Sequence, residues 1–130
     1  MGAPVNVVAP FDPAAISVTA SSGERTASTA GTTVATAGAS YARIDGIHFK
    51  AQGSTSQACM LVFYYDGTNR TCIGEVQIEE VIVPTAQTPS WEKTWRPPQP
   101  FLIPASDTIQ CIRTAGSGNF VAIPLGGQLA

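Results

Sequence analysis

From Ala42 to Leu125 the chain places apolar residues at every second position, in short runs separated by Gly, Pro, Asn and Asp. That period of two predicts strands rather than helices, because successive side chains of a strand point to opposite faces. In Ala42-Arg43-Ile44-Asp45-Gly46-Ile47-His48-Phe49-Lys50, Ile44 is out of phase with Ile47 and Phe49. Gly46 lies at the slip, so a β-bulge is expected there. Ala58 to Tyr65 is apolar on both faces, with Cys59, Leu61, Phe63 and Tyr65 on one and Met60, Val62 and Tyr64 on the other. This is the pattern of a central strand covered on both sides. Asp66-Gly67-Thr68-Asn69 turns the chain, through a loop of either two or four residues. The return run alternates Cys72, Gly74, Val76 and Ile78 against Ile73, Glu75, Gln77 and Glu79, which predicts a half-buried strand.

Further runs follow at Val81-Ile82-Val83, Trp91 to Arg96, Phe101 to Pro104, Thr108 to Thr114 and Phe120 to Leu125, punctuated by Pro84, Pro89, Pro97, Pro98, Pro100 and Gly116-Ser117-Gly118-Asn119. No stretch carries a 3.6-residue apolar period long enough for a helix. About eight strands at this spacing predict an all-β domain, an antiparallel β-sandwich with jelly-roll-like organisation. Before them, residues 1–15 hold Pro4, Pro10 and Pro13 among Val5, Val7, Val8 and Phe11. Such a segment cannot be helical and is too apolar for a purely solvated tail, so it reads as an extended N-terminal arm. Fully extended, 15 residues reach at most roughly 50 Å, enough to cross a neighbouring subunit. Residues 16–130 form the single domain. Its first part, Ile16 to Ser40, is rich in Ser, Thr, Ala and Gly, and Thr26 to Ala30 and Thr32 to Thr36 predict short strands, with a flexible linker as the alternative.

Composition sharpens this picture. The 130 residues suit one domain, large enough to bury roughly two thirds of its unfolded surface. Only 12% of residues are charged, about half the usual share, so much of the surface must be small and neutral. Net charge is −2 and the seven Lys and Arg residues are scattered, which argues against nucleic-acid binding. The N-terminus lacks a basic region followed by an apolar one, and no window has the ~18 apolar residues of a membrane-spanning helix. A soluble protein made in a cytoplasm, without a membrane partner, is the expectation. Cys59, Cys72 and Cys111 are odd in number and show no C-x-x-C spacing, so buried free thiols are expected rather than a disulfide framework or zinc site.

Candidate chemistry is sparse, and no catalytic, cofactor-binding or metal-binding residue is assigned. His48 is the single histidine, near Asp45 in sequence, and reads as a strand-surface residue. No G-x-S-x-G elbow accompanies it. Glu75 and Glu79 share a strand face, but at ~3.3 Å per residue they stand ~13 Å apart, too far for the paired carboxylates of glycoside hydrolysis. Asp66, Asn69 and Asp107 sit in turns, where their side chains bond local backbone. Trp91 and Trp95 fall on one face of a strand, beside Arg96-Pro97-Pro98. Core packing, a subunit contact and a sugar-stacking platform all remain open for them. Val5, Val7, Val8, Phe11, Trp91, Trp95 and Arg96 are therefore the candidate interface residues.

Ala42 to Ala51, the Phe63-Tyr64-Tyr65-Asp66-Gly67-Thr68-Asn69 hairpin and the run from Phe101-Leu102-Ile103-Pro104 through Asn119-Phe120-Val121-Ala122 to Leu129 resemble small structural proteins of tailed bacteriophages. The likeness covers roughly residues 40–130 and leaves out the Ser/Thr-rich first third. It implies a virion protein, a capsid decoration or cement protein that binds the major capsid protein and assembles as a homotrimer on the head surface. It implies no catalytic residues. The rival reading is a head- or tail-fibre module that binds a host surface glycan through Trp91 and Trp95.

Overall fold

The computed structural model describes residues 7–11, 16–18, 25, 31–81, 89–115 and 119–129. Ten strands occur among them: Val7–Pro10 (β1), Ile16–Val18 (β2), Thr32–Thr36 (β3), Ala42–Ala51 (β4), Ala58–Tyr65 (β5), Arg70–Ile78 (β6), Glu92–Trp95 (β7), Phe101–Ile103 (β8), Thr108–Arg113 (β9) and Phe120–Leu129 (β10). All pair antiparallel, in two sheets. One has the order β1-β10-β4-β7, with β2 also on β10 and β8 also on β4, and the other the order β3-β9-β5-β6. The two layers make the expected all-β sandwich. The expected strand over Thr26 to Ala30, residues Ile82 and Val83, the Gly116–Gly118 turn and Val5 of the arm lie outside the described residues.

The inner faces meet in one core. Ala42, Ile44, Ile47, Phe49 and Ala51 of β4 and Phe120 and Ala122 of β10 face Met60 and Val62 of β5, Val76 and Ile78 of β6 and Ile109 and Cys111 of β9. β5 lies between β9 and β6 and buries its other face as well, where Leu61, Phe63 and Ile112 form a second cluster flanked by Cys59 and Cys72. The two-sided apolar pattern of Ala58 to Tyr65 thus has its predicted cause. Two described residues between β2 and β3 lie over this outer face. A Cβ on Gly31 would come 2.6 Å from Ile112 Cγ1, and Arg25 Nε is 2.7 Å from a carboxylate oxygen of Glu75. At Gly31 the missing side chain lets backbone lie directly on Ile112.

Register shifts occur in four of the ladders, and two of them, in β4–β10 and β5–β6, bear on the sequence reading. In the β4–β10 ladder Leu125 pairs with Gly46 and Gly126 with Ile44, leaving Asp45 unpaired at the predicted slip. The partner strand needs a glycine there too: Gly126 has φ +119°, and a Cβ on it would lie 2.0 Å from the Arg43 carbonyl oxygen. The second bulge corrects the sequence reading. Val62 pairs with Gly74 and Phe63 with Cys72, so Ile73 is the extra residue of β6. Cys72 therefore packs with the outer cluster, not on the face shared by Gly74, Val76 and Ile78, and Ile73 packs against the main core. The hairpin loop has four residues, since Tyr65 pairs with Arg70. Within it Asp66 Oδ1 accepts from Thr68 N at 2.9 Å and Asn69 N at 2.7 Å, and these bonds hold its carboxyl below the usual range.

The arm is also corrected in part. Val7–Pro10 pairs with residues 127–129 of the chain's own β10, and Phe11 donates its N–H to the Gly126 carbonyl at 3.1 Å while its ring packs on the core. This stretch is an edge strand of the domain rather than a free extension. Alternating apolar positions could not reveal that, because edge pairing and reaching a neighbour demand the same extended backbone.

Gly74 sits under the Trp95 indole, and a Cβ there would lie 2.2 Å from Nε1. Gly74→Ala and Gly126→Ala should each destabilise the fold by about 1–3 kcal/mol, the range for overpacking. Gly53→Ala, whose Cβ would meet nothing within 4 Å, should stay within about 0.5 kcal/mol of wild type in urea unfolding. Equal effects at the three positions would contradict these contacts.

Candidate functional site

β6 ends the second sheet, and β7 and β8 form the far edge of the first, so on this side the sandwich is open. A groove of about 450 Å³ lies there, lined by Tyr64, Ile73, Trp95, Pro97, Pro98, Gln99 and Phe101. Each wall follows from a local feature. The bulge in β6 places Ile73 in the groove, and β5 supplies Tyr64, two positions before the turn. Register with β4 supplies the rest: Trp95 pairs with Ile47 and Phe101 with Ile44. Between them Pro97, Pro98 and Pro100 carry the chain across the Asp45–Gly46 bulge without continuing the ladder. Gly46 permits the approach, since a Cβ on it would lie 2.5 Å from the Trp95 carbonyl oxygen.

The groove is uncharged and held in place. The Tyr64 hydroxyl donates to the Asp107 carboxylate. Asp107 is tied to the corner between β8 and β9, its N–H donating to Pro104 O at 3.2 Å and its carbonyl accepting from Ala37 N at 3.0 Å. Burial, followed by the bond to Asp107 and its negative charge, pushes the Tyr64 phenol up to about 12. Its ring is therefore neutral across the physiological range.

Of the sequence-predicted interface residues, Trp91 and Trp95 belong to the core, at 6% and 8% exposure. Trp91 makes an edge-on contact with Phe120, with ring centroids 5.9 Å apart. Two buried indoles do not make a paired stacking platform; Trp95 alone reaches the groove. Arg96 is exposed beside it. Val7 and Val8 lie on β1, along the opposite edge of the first sheet, away from the groove. Tyr64, Ile73, Gln99 and Phe101 had not been singled out from the sequence, where the signal was the proline cluster at 97–100 interrupting a strand pattern.

His48 lies elsewhere, on the outward face of the first sheet. Its Nδ1 is 2.7 Å from Thr94 Oγ1 and its Nε2 is 3.3 Å from Glu92 Oε2, while Lys50 Nζ donates to Ser90 Oγ at 2.8 Å. A hydroxyl, an imidazole and a carboxylate in sequence match the members of a nucleophilic triad. His48 and Thr94 are direct partners across the β4–β7 ladder, and Glu92 lies two positions from Thr94 on the same strand. The arrangement is that of cross-strand polar pairs. Among the described residues no three His, Cys, Asp or Glu side chains cluster as metal ligands. Cys111 is fully buried and its thiol is pushed up by desolvation, while Cys59 and Cys72 are half-buried and face Gln77 and Phe63 across the ladder rather than each other.

Comparison of the chain with protein-family models, curated proteins and solved structures gives no match.

A phenol titrating near 10 in the unfolded chain and at about 12 when folded stabilises the fold fully below pH 10 and loses that contribution as pH rises through 12. The melting temperature should therefore fall between pH 10 and 12, and Tyr64→Phe should flatten that fall. Parallel curves for the two proteins would remove Tyr64 as its source.

Proposed function

We propose that the chain is a non-enzymatic structural protein of a tailed-bacteriophage virion, a capsid decoration protein that binds the major capsid protein on the head surface as a homotrimer. The observation that carries a binding role is the uncharged aromatic groove at the open edge of the sandwich, flanked by the edge strands β6, β7 and β8. Open edges and apolar concavities are surfaces that subunit contacts cover. The segments resembling phage structural proteins fall on β4, the β5–β6 hairpin, β8 and β10, and two of their residues, Tyr64 and Phe101, line that groove. A charged fraction of 12% suits a surface packed against other subunits. Weak contacts repeated over a trimer and over many copies give firm attachment through multivalency.

The rival reading as a glycan-binding fibre module has less support. Its paired tryptophans are buried, and the groove offers few polar groups to match sugar hydroxyls.

Solution mass followed by co-sedimentation with undecorated capsids tests the proposal. A trimer that pellets with capsids is expected; a monomer left in the supernatant would overturn it. Because Val7–Pro10 belongs to the fold, the arm is best tested by deleting residues 2–6. The unfolding midpoint should stay unchanged and capsid binding should weaken, and undiminished binding would take the arm out of the contact.

A further inference from the structure

Arg70 opens β6 directly across the hairpin from Tyr65. Its guanidinium carbon lies 4.2 Å from the centre of the Tyr65 ring, and its Nε donates to Gln110 Oε1 at 3.0 Å. Both supports are themselves fixed. Gln110 is 6% exposed and its side-chain oxygen also accepts from Gly31 N at 3.3 Å, while the Tyr65 hydroxyl donates to Gly67 O at 2.8 Å. The side chain is therefore set in place before any ligand arrives, which removes much of the entropy an arginine otherwise loses on binding.

The supports leave the charged end unused. Among the described residues Arg25 and Arg43 each meet a carboxylate, of Glu75 and Asp45, whereas no carboxylate pairs with Arg70. With Nε taken, its two terminal nitrogens keep their N–H donors, and neither is a buried polar atom without a partner, so both open to solvent. That end-on fork matches the two oxygens of a carboxylate. A phosphate dianion suits it less. The hairpin from Tyr65 to Cys72 contains no second cation, and Asp66, held below the usual carboxylate range by its bonds to Asn69 N and Thr68 N, adds a negative charge there.

We propose that Arg70 is a pre-set anchor for one carboxylate, presented by an acidic side chain of a partner protein. A free anion would touch little besides the guanidinium. An acidic side chain arrives with a surrounding contact on the exposed turn from Asp66 to Asn69, and that contact shields the ion pair from water, the condition under which interface arginines contribute most. The anchor does not rest on the virion reading, because it follows from the chemistry of one residue and its supports.

The test is an NMR titration of the isotope-labelled full chain that follows the Arg70 Nε–H. Its bond to Gln110 slows exchange of that proton, and Arg70→Lys identifies the signal by its loss. The probes are glutamate blocked as its N-acetyl amide, the same derivative of glutamine, and inorganic phosphate, all at constant ionic strength. A saturable shift with a Kd between about 1 and 100 mM is expected for blocked glutamate, with glutamine at least about tenfold weaker and phosphate no tighter than glutamate. Tyr65→Leu, which removes the ring beneath the guanidinium, should weaken glutamate binding at least about threefold, and its backbone amide spectrum shows whether it folds. The proposal is overturned if blocked glutamate gives no saturable shift, if glutamine binds as well, or if phosphate binds more tightly. A Kd below about 1 mM would make the site a receptor for free carboxylates and overturn the partner assignment. These outcomes need only the wild-type chain. Undiminished affinity in a folded Tyr65→Leu chain would equally overturn it, since the support would then be irrelevant.

Discussion

The seat of Trp95 on Gly74 governs the open side of this sandwich. An indole from the edge of one sheet lies on backbone of the edge strand of the other, so close that any side chain at position 74 would collide with Nε1 at 2.2 Å. Trp95 belongs to the main core cluster, and Tyr64, Ile73 and Phe101 pack against that cluster on the same side. The Gly74 contact requires β6 to present bare backbone at position 74 and to turn Ile73 toward the same opening, and the bulge between the Val62 and Phe63 pairs achieves both. Edge spacing, bulge and groove are consequences of one steric fit.

The opposite edge and the outer face of the second sheet are handled differently. β1 and β2 both lie along β10, at residues 127–129 and 120–122, so a broken strand borders the first sheet. Beyond it the chain passes to the outer face of the second sheet, where Gly31 meets Ile112 and Arg25 meets Glu75. The apolar face of β5 there would otherwise be exposed. Gly31 can lie against Ile112 because it carries no side chain.

Legibility in the sequence followed the range of the interactions involved. The Asp45–Gly46 bulge was visible because it breaks a local period of two, and the turn at Asp66–Asn69 because Asp66 and Gly67 carry their turn chemistry with them, although its length was decided only by the pairing of Tyr65 with Arg70. Burial of both faces of β5 was visible because eight consecutive apolar or aromatic residues admit little else. The Ile73 bulge was not visible, since Cys72 and Ile73 are both apolar and either can face a core. The pairing of β1 with β10 joins residues at opposite ends of the chain, and no local pattern encodes a partner so distant. The tryptophans were ambiguous for the same reason: their spacing places them on one face without saying what lies against it. As for the groove, its lining comes from β5, β6, β7, β8 and a proline turn, and only the turn announced itself.

The distribution of polar groups explains why a binding role fits the open edge better than the faces. The outward face of the first sheet is closed on itself, with His48, Thr94 and Glu92 joined across strands and Lys50 joined to Ser90. A partner landing there would have to displace bonds already made. At the open edge the reverse holds. The tyrosine hydroxyl is satisfied internally, the remaining walls are rings and aliphatic groups apart from Gln99, and the bordering strands have unpaired sides. Covering that surface removes apolar area from water while disturbing few hydrogen bonds, which is the condition under which a small neutral domain gains most from a partner.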